Sequence, residues 1–535
     1  MSFVLNNVNE QQLSFLDSYH TLTERERKFL DKSWAKYFAE HIFPKIDERP
    51  YEILYSSAHS RPNTPVNVQL GALLIKEFTG LSDDEIVSAL MFDIRFQYAL
   101  HTTHLIEQPL SDRTLGRFRE RCHTYENETG IDLLHSTIES VSSEMAQLMK
   151  LDLSLKRMDS LMVASNIKRM SRLELLYTCV ANLVKEVKKR ENSLPESLIH
   201  YTQADDRNLV IYHNHSEETS DKIAAVLKDA QLIKELCRDS YVESSSYQLL
   251  LRVLNEQALK NSDGSYRLRK KEDGGMNGSI LQNPADPDAT YREKGGSQNR
   301  GYVANVTEAT GGGHSIVTDY QYEKNLYSDS QFMKDALAKT ERQDEEATIV
   351  TDGAYAGREN EQLANKKNIQ LVTTNLTGRE AEDILADFEF TEDGTRLLKC
   401  AGGKEPKSCS YNEQTGQCTV SFVLSQCQQC PNKNKCRPKM FKRVARKTIS
   451  RTSKHRAEQQ RNRSSEEFKE KSRFRNGVET IPSMLRRKYN IDHMPVRGLI
   501  RSRFFFGCKI GALNFKKFCK YMQGLEKSAP KMLPV

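Results

Sequence analysis

The chain has 535 residues (61.4 kDa), of which 38% are hydrophobic and 28% charged, so it has room for several domains that each bury a core without disulfide staples. No run of roughly 18 apolar residues is present, which excludes a membrane-spanning helix, and the opening MSFVLNNVNEQQL lacks the basic-then-apolar pattern of an export signal. The net charge of +7 hides an asymmetry: from Arg437 onward 27 Lys and Arg face 7 Asp and Glu, a local +20 that leaves the first 436 residues at −13 and suggests a polyanionic partner.

Residues 1–150 read as helical. Leu70, Leu73, Leu74 and Phe78 make an apolar stripe at helical spacing over Val68–Phe78. Thr79-Gly80 stops that helix, and Ser82-Asp83-Asp84-Glu85 is a capping box for the next, ending near Leu90. This short Gly turn makes the pair a helix-turn-helix candidate. Ser111-Asp112 starts a third helix, in which Arg113, Arg117 and Arg119 are candidate phosphate contacts.

From Leu151 the period changes to two. Leu151, Leu153 and Leu155 alternate with polar residues toward Met158-Asp159-Ser160, a strand expected to end on a carboxylate. A helical stretch follows, and then a loop rich in Gly, Asn, Asp and Pro over 277–300. Two strands, 302–308 and 315–322, flank Gly311-Gly312-Gly313 as a hairpin. A helix over 330–339 leads to a buried strand, 347–351, that runs into Asp352-Gly353-Ala354-Tyr355. A helix over 361–367 and a strand over 369–374 follow. Residues 376–436 hold six cysteines among short strands, and 437–475 is the basic run. A last helix carries Phe504, Cys508, Gly511, Phe515 and Cys519 on one face.

Asp159 and Asp352 each close a short apolar strand, where α/β sheets present catalytic groups. The segment Arg475-Asn476-Gly477-Val478-Glu479, followed by Arg486, offers a third carboxylate between two arginines. Three converging carboxylates repel one another unless cations neutralise them, and two Mg²⁺ (or Mn²⁺) ions would also activate a nucleophile at a phosphodiester. Asn476-Gly477 and Pro482 are poor helix residues around Glu479, so Glu466, Glu467 and Glu470 stand as alternatives for the third place.

This ordered set resembles the bacterial insertion-sequence transposases of the DDE type. Within them it is similar to the group with an insertion between the second Asp and the Glu, whose helix motif is Tyr-x2-Arg-x3-Glu-x6-Lys. SDRTLGRFRER, MDSLMVASNIKRMSRLELLY, DPDATYREKGGSQNRGY and HMPVRGLIRSRFFFGCKIGALNFKKF carry the likeness from about residue 60 onward. Ser472 stands where the motif has Tyr, and Arg486 where it has Lys. The resemblance implies an α+β multidomain chain. A helical N-terminal DNA-binding domain spans 1–150. A ribonuclease-H-like α/β catalytic core spans 151–375 and 470–500, with a helical insertion at about 165–290. A Cys-rich insertion (376–436), a basic linker (437–469) and a C-terminal basic helix (501–535) complete it. Asp159, Asp352 and Glu479 would hold Mg²⁺. Arg475 and Arg486 would hold phosphates of double-stranded DNA, both terminal repeats and target. A dimer on DNA, in the cytoplasm and at the nucleoid, is implied. The rival expectations are a metal-dependent nuclease without joining, and a transposase-derived DNA-binding protein whose acidic site has decayed.

Cys427-x2-Cys430-Pro431, Cys436 and the upstream Cys400 make a four-thiolate set suited to one structural Zn²⁺, with Cys409 and Cys418 as substitutes. Cys122, Cys179, Cys237, Cys508 and Cys519 are spaced as core residues. His213-Asn214-His215 lies in a polar acidic stretch without a strand–helix metal context, and His101-Thr102-Thr103-His104 has no third ligand nearby. Neither is expected to bind metal.

Overall fold

The computed structural model describes residues 1–6, 17–58, 60–105, 107–191, 194–212, 217–374, 382–391, 393–462 and 465–528. Two compact units divide the chain: Met1–Leu151, Ser160–Tyr327 and Ile481–Val535 form the first, and Asp152–Asp159 with Ser328–Thr480 the second.

In the first unit the N-terminal helices follow their start and stop signals. The helix Val66–Thr79 ends at Gly80 in the left-handed region (φ 78), and Ser82 and Glu85 cap Asp83–Phe92 reciprocally. Every residue from Val66 to Lys76 is buried, so the first helix of the expected helix-turn-helix is a core element. Helices Asp112–Thr129 and Leu133–Leu148 follow. The 30-residue helix Leu499–Ser528 packs on Val66–Thr79 and on Leu133–Leu148, burying Phe504, Phe506, Ile510, Leu513, Phe515 and Phe518. The expected N-terminal domain and C-terminal basic helix therefore share one apolar core. Lys509 and Lys517, counted in the basic balance, are spent on Glu77 (2.6 Å) and the fully buried Glu308 (2.7 Å).

Strand β1 spans Asp152–Ala164, so Asp159 lies within it rather than at its end. Helices Arg172–Glu191, Thr219–Leu236 and Ser245–Gln257, with the small hairpin of β2 (Ala258–Lys260) and β3 (Tyr266–Leu268), occupy the stretch read as a helical insertion and have their own core. Strands β4 (Thr290–Lys294), β5 (Ser297–Gly311) and β6 (His314–Lys324) are antiparallel, and β5 turns into β6 through Gly312 and Gly313, both at positive φ. No helix among the described residues is long and apolar enough to cross a membrane.

In the second unit the first part of β1, β7 (Ala347–Thr351) and β8 (Ile369–Thr373) run parallel, with helices Asp329–Lys339 and Arg358–Lys366 as connections. Their hydrogen-bonded order is β1-β7-β8. The Cys-rich region is a hairpin, β9 (Glu389–Phe390) and β10 (Leu397–Lys399), and a sheet of β11 (Ser408–Asn412), β12 (Gln417–Val423), β13 (Lys439–Met440) and β14 (Val444–Ile449), ordered β11-β12-β14-β13. The expected basic linker, 437–469, is thus largely folded, through β13, β14, the helix Arg451–Asn462 and the start of the helix Glu466–Asn476. Ala445 and Ile449 of β14 enter the core of this region, and Ala457 joins them from helix Arg451–Asn462. Arg461 fixes that helix by pairing with Asp383 (2.8 Å) and Asp387 (2.6 Å).

Candidate active site

Parallel pairing sets two aspartates side by side. β1 and β7 pair Leu155 with Thr348, Lys156 with Ile349 and Arg157 with Val350. Carried two residues on, that register levels Asp159 with Asp352, on strands about 4.8 Å apart. Asp352 has just left β7 and caps the turn Gly353–Tyr355, its Oδ1 accepting the Ala354 amide at 2.9 Å. The strand period places Arg157 and Asp159 on one face of β1.

Helix Glu466–Asn476 contacts β7 and brings Arg475 to both carboxylates. One guanidinium nitrogen stands 3.7 Å from Asp159 Oδ1 and 3.8 Å from Asp352 Oδ2, with the Arg475 side chain only 11% exposed. Its Nε is buried without a hydrogen-bond partner among the described residues. A single cation therefore bridges the aspartates at ion-pair range.

Two contacts position this helix. Lys471 donates to Gln370 of β8 at 2.7 Å, and Arg157 donates to the Phe474 carbonyl at 2.7 Å while covering the Phe474 ring. The close approach explains Gly477: a Cβ there would stand 2.1 Å from Arg157 Nη1. Arg157 is the positioning residue that sequence reading missed. Its place two residues before Asp159 on an alternating strand was the available signal.

Glu479 does not join the pair as expected. The α-helix ends at Asn476, Glu479 falls on the 3₁₀ turn Gly477–Glu479, and the next helix, Thr480–Tyr489, starts immediately after. Glu479 is exposed on that turn. The alternatives do not replace it: Glu466 pairs with Lys469 (2.6 Å), Glu470 is exposed, and the Glu467 side chain lies outside the described residues. Among the described residues no three His, Cys, Asp or Glu side chains gather as a metal site requires. The donors present fit a divalent cation in part, as two converging carboxylates already shared by one positive group.

The remaining predicted arginines are dispersed. Arg486 lies in the first unit, on the Met162 carbonyl (2.8 Å) and Asp492 (3.1 Å). Arg113 and Arg117 are exposed on their helix. Arg119 is instead a structural cation, paired with Asp83 and lying over the Phe505 ring.

Cys400, Cys427, Cys430 and Cys436 line one cavity of about 30 Å³, while no three of their sulfurs reach metal-bridging separations. The five cysteines expected in cores are all buried there. His101 Nε2 donates to the Ala39 carbonyl (3.0 Å), and His213 and His215 lie outside the described residues.

Comparison with known proteins bears on both ends of the chain. Residues 399–519 match the family described as "Transposase DDE domain", and residues 27–121 the one described as "Transposase domain (DUF772)". The chain carries transposase domains. Its resemblance to the insertion-sequence transposases of the DDE type holds on these two stretches, which take in Glu479, Arg475 and the cysteine cluster but neither Asp159 nor Asp352. No curated protein and no solved structure matches the chain.

Proposed function

We propose that this transposase cleaves the ends of a mobile DNA element and joins them to target DNA at a site built on Asp159 and Asp352. The observation that carries the reading is the pair itself, level on adjacent parallel strands and sharing Arg475. Antiparallel β4, β5 and β6 together with parallel β1, β7 and β8 support a ribonuclease-H-like core. Divalent metal at the pair, Mg²⁺ or Mn²⁺, would supply charge neutralisation and Lewis acidity for phosphodiester chemistry. Asp159 and Asp352 would hold that charge in place. Arg475, released from them, would take a phosphate oxygen of the scissile strand. Water attacks the end phosphodiester and frees a 3′-hydroxyl; that hydroxyl then attacks a target phosphodiester, so each step exchanges one P–O bond for another without a covalent enzyme intermediate. Glu479 completes the site if the 3₁₀ turn rewinds into helix on DNA. The exposed Arg113 and Arg117, with Arg486, would contact phosphates outside the reaction centre. Handling two ends calls for a dimer on double-stranded DNA, at the bacterial nucleoid.

The position of Glu479 favours one second reading, a transposase-derived DNA-binding protein without cleavage. Incubating purified protein with pre-cut element ends and a supercoiled plasmid, with Mg²⁺, separates the two. Joined products support the proposal, nicked plasmid alone a nuclease, and bound ends without new strands the second reading. Asp159→Asn and Asp352→Asn should each abolish joining while leaving end binding within about twofold, because a metal ligand's charge is lost and the DNA-binding surface is not.

A further inference from the structure

The Cys-rich region of the second unit contains a group of side chains unrelated to the aspartate pair. Three local turns bring four thiols to one cavity. Cys400 follows β10 and opens the turn closed by the Gly403 amide on its carbonyl (2.8 Å). Cys427 lies in the short helix Leu424–Gln428 after β12, and Cys430 follows it. Cys436 ends the helix Lys433–Cys436, which Arg437 stops in the left-handed region (φ 47). A methyl group built on Gly402 would stand 3.4 Å from the Cys430 sulfur and 3.7 Å from the Cys400 sulfur, so both face the same space. At about 30 Å³ the cavity has the volume of one small ion or water, and its wall includes Phe422.

Sequence spacing left six cysteines as candidates, and the fold separates them. Cys409 and Cys418 stand on β11 and β12, where the Cys418 thiol donates to the Thr395 carbonyl at 3.2 Å, and neither lines the cavity. A thiophilic cation in that shared space would draw the four sulfurs inward to about 2.3 Å from the metal.

We propose that Cys400, Cys427, Cys430 and Cys436 together bind one Zn²⁺ as a structural site that ties β10, β12 and the segment before β13 into one folded region. Binding exchanges four S–H bonds for four Zn–S bonds and releases four protons to solvent, with no change of oxidation state. The site takes no part in strand transfer, and its existence does not depend on Asp159 and Asp352 being catalytic.

The test uses the full chain, expressed in zinc-supplemented medium and purified without chelator. Elemental analysis should find about one zinc per chain, and Co²⁺ exchange should give a thiolate-to-cobalt charge-transfer band. Cys427→Ser combined with Cys430→Ser should remove both, while Cys409→Ser combined with Cys418→Ser retains them. If the first variant proves insoluble, chelator treatment of the wild type provides the second measurement: zinc should leave and the 382–449 region should become the preferred site of proteolysis. Zinc well below one per chain in the wild type, zinc retained by Cys427→Ser/Cys430→Ser, or a disulfide among these four cysteines would each overturn the proposal.

Discussion

Arg475 is the residue on which the arrangement of the candidate site turns. Its guanidinium holds two carboxylates that would otherwise face each other across adjacent strands. Arg475→Gln should therefore destabilise the second unit by about 1–2 kcal/mol, below the roughly 3–5 kcal/mol of a fully buried pair, because the contacts are long and the aspartates partly exposed. Mg²⁺ should restore more stability to that variant than to the wild type in urea unfolding, and an equal effect on both proteins would argue against a shared cation position. Gly477→Ala should cost about 1–3 kcal/mol by displacing Arg157 from the Phe474 carbonyl. The apolar flanks of both aspartates drew attention to them in the sequence, although Asp159 falls within the long β1 and Asp352 just beyond β7. The bridging cation was not legible there, because spacing assigned Arg475 to phosphate and said nothing of what it pairs with when DNA is absent.

At the scale of elements, the helices and strands that carry apolar periodicity stand close to where the sequence put them, as with Val66–Thr79 and Ala347–Thr351. The basic stretch misled because composition outweighed pattern. β14 sets the adjacent Arg446 and Lys447 between the buried Ala445 and Ile449, and helix Arg451–Asn462 has no apolar residue besides Ala457. That helix is held by polar ties, including His455 to Glu361 at 2.7 Å. The hydrogen bond to Glu361 raises the His455 pKa above its usual 6.5. A raised folded-state value means that this stabilisation is complete below the unfolded pKa and fades as pH rises through the folded one. His455→Gln should then lower the stability of the second unit at pH 5.5–6 by less than about 1 kcal/mol and hardly at all at pH 9. Thermal melts across that range measure it, and a deficit that grows with pH would contradict the assignment.

Across the whole molecule, charge counting and packing assign the C-terminal residues different roles. A salt dependence of DNA affinity with a slope of about −5 would fit roughly six neutralised phosphates. Lys509 and Lys517 should not contribute to it, since their charges are matched by Glu77 and Glu308. Removing residues beyond Lys509 should yield insoluble or unfolded protein rather than weakened binding, because Ile510, Leu513, Phe515 and Phe518 leave the core of the first unit. Soluble, cooperatively melting truncated protein would refute this. The sequence showed the apolar face of this helix but not its partners, which lie several hundred residues earlier.

That separation has a consequence for synthesis. Helix Val66–Thr79 leaves the ribosome some 420 residues before Leu499 begins the helix that covers it. At roughly 5–20 residues per second the wait is about 20–80 s. Throughout that interval the helix lacks one of the surfaces it packs on, the one that meets Leu74 at Gly511. Slowed translation should therefore lengthen the exposure of this helix to aggregation without any change in the finished fold.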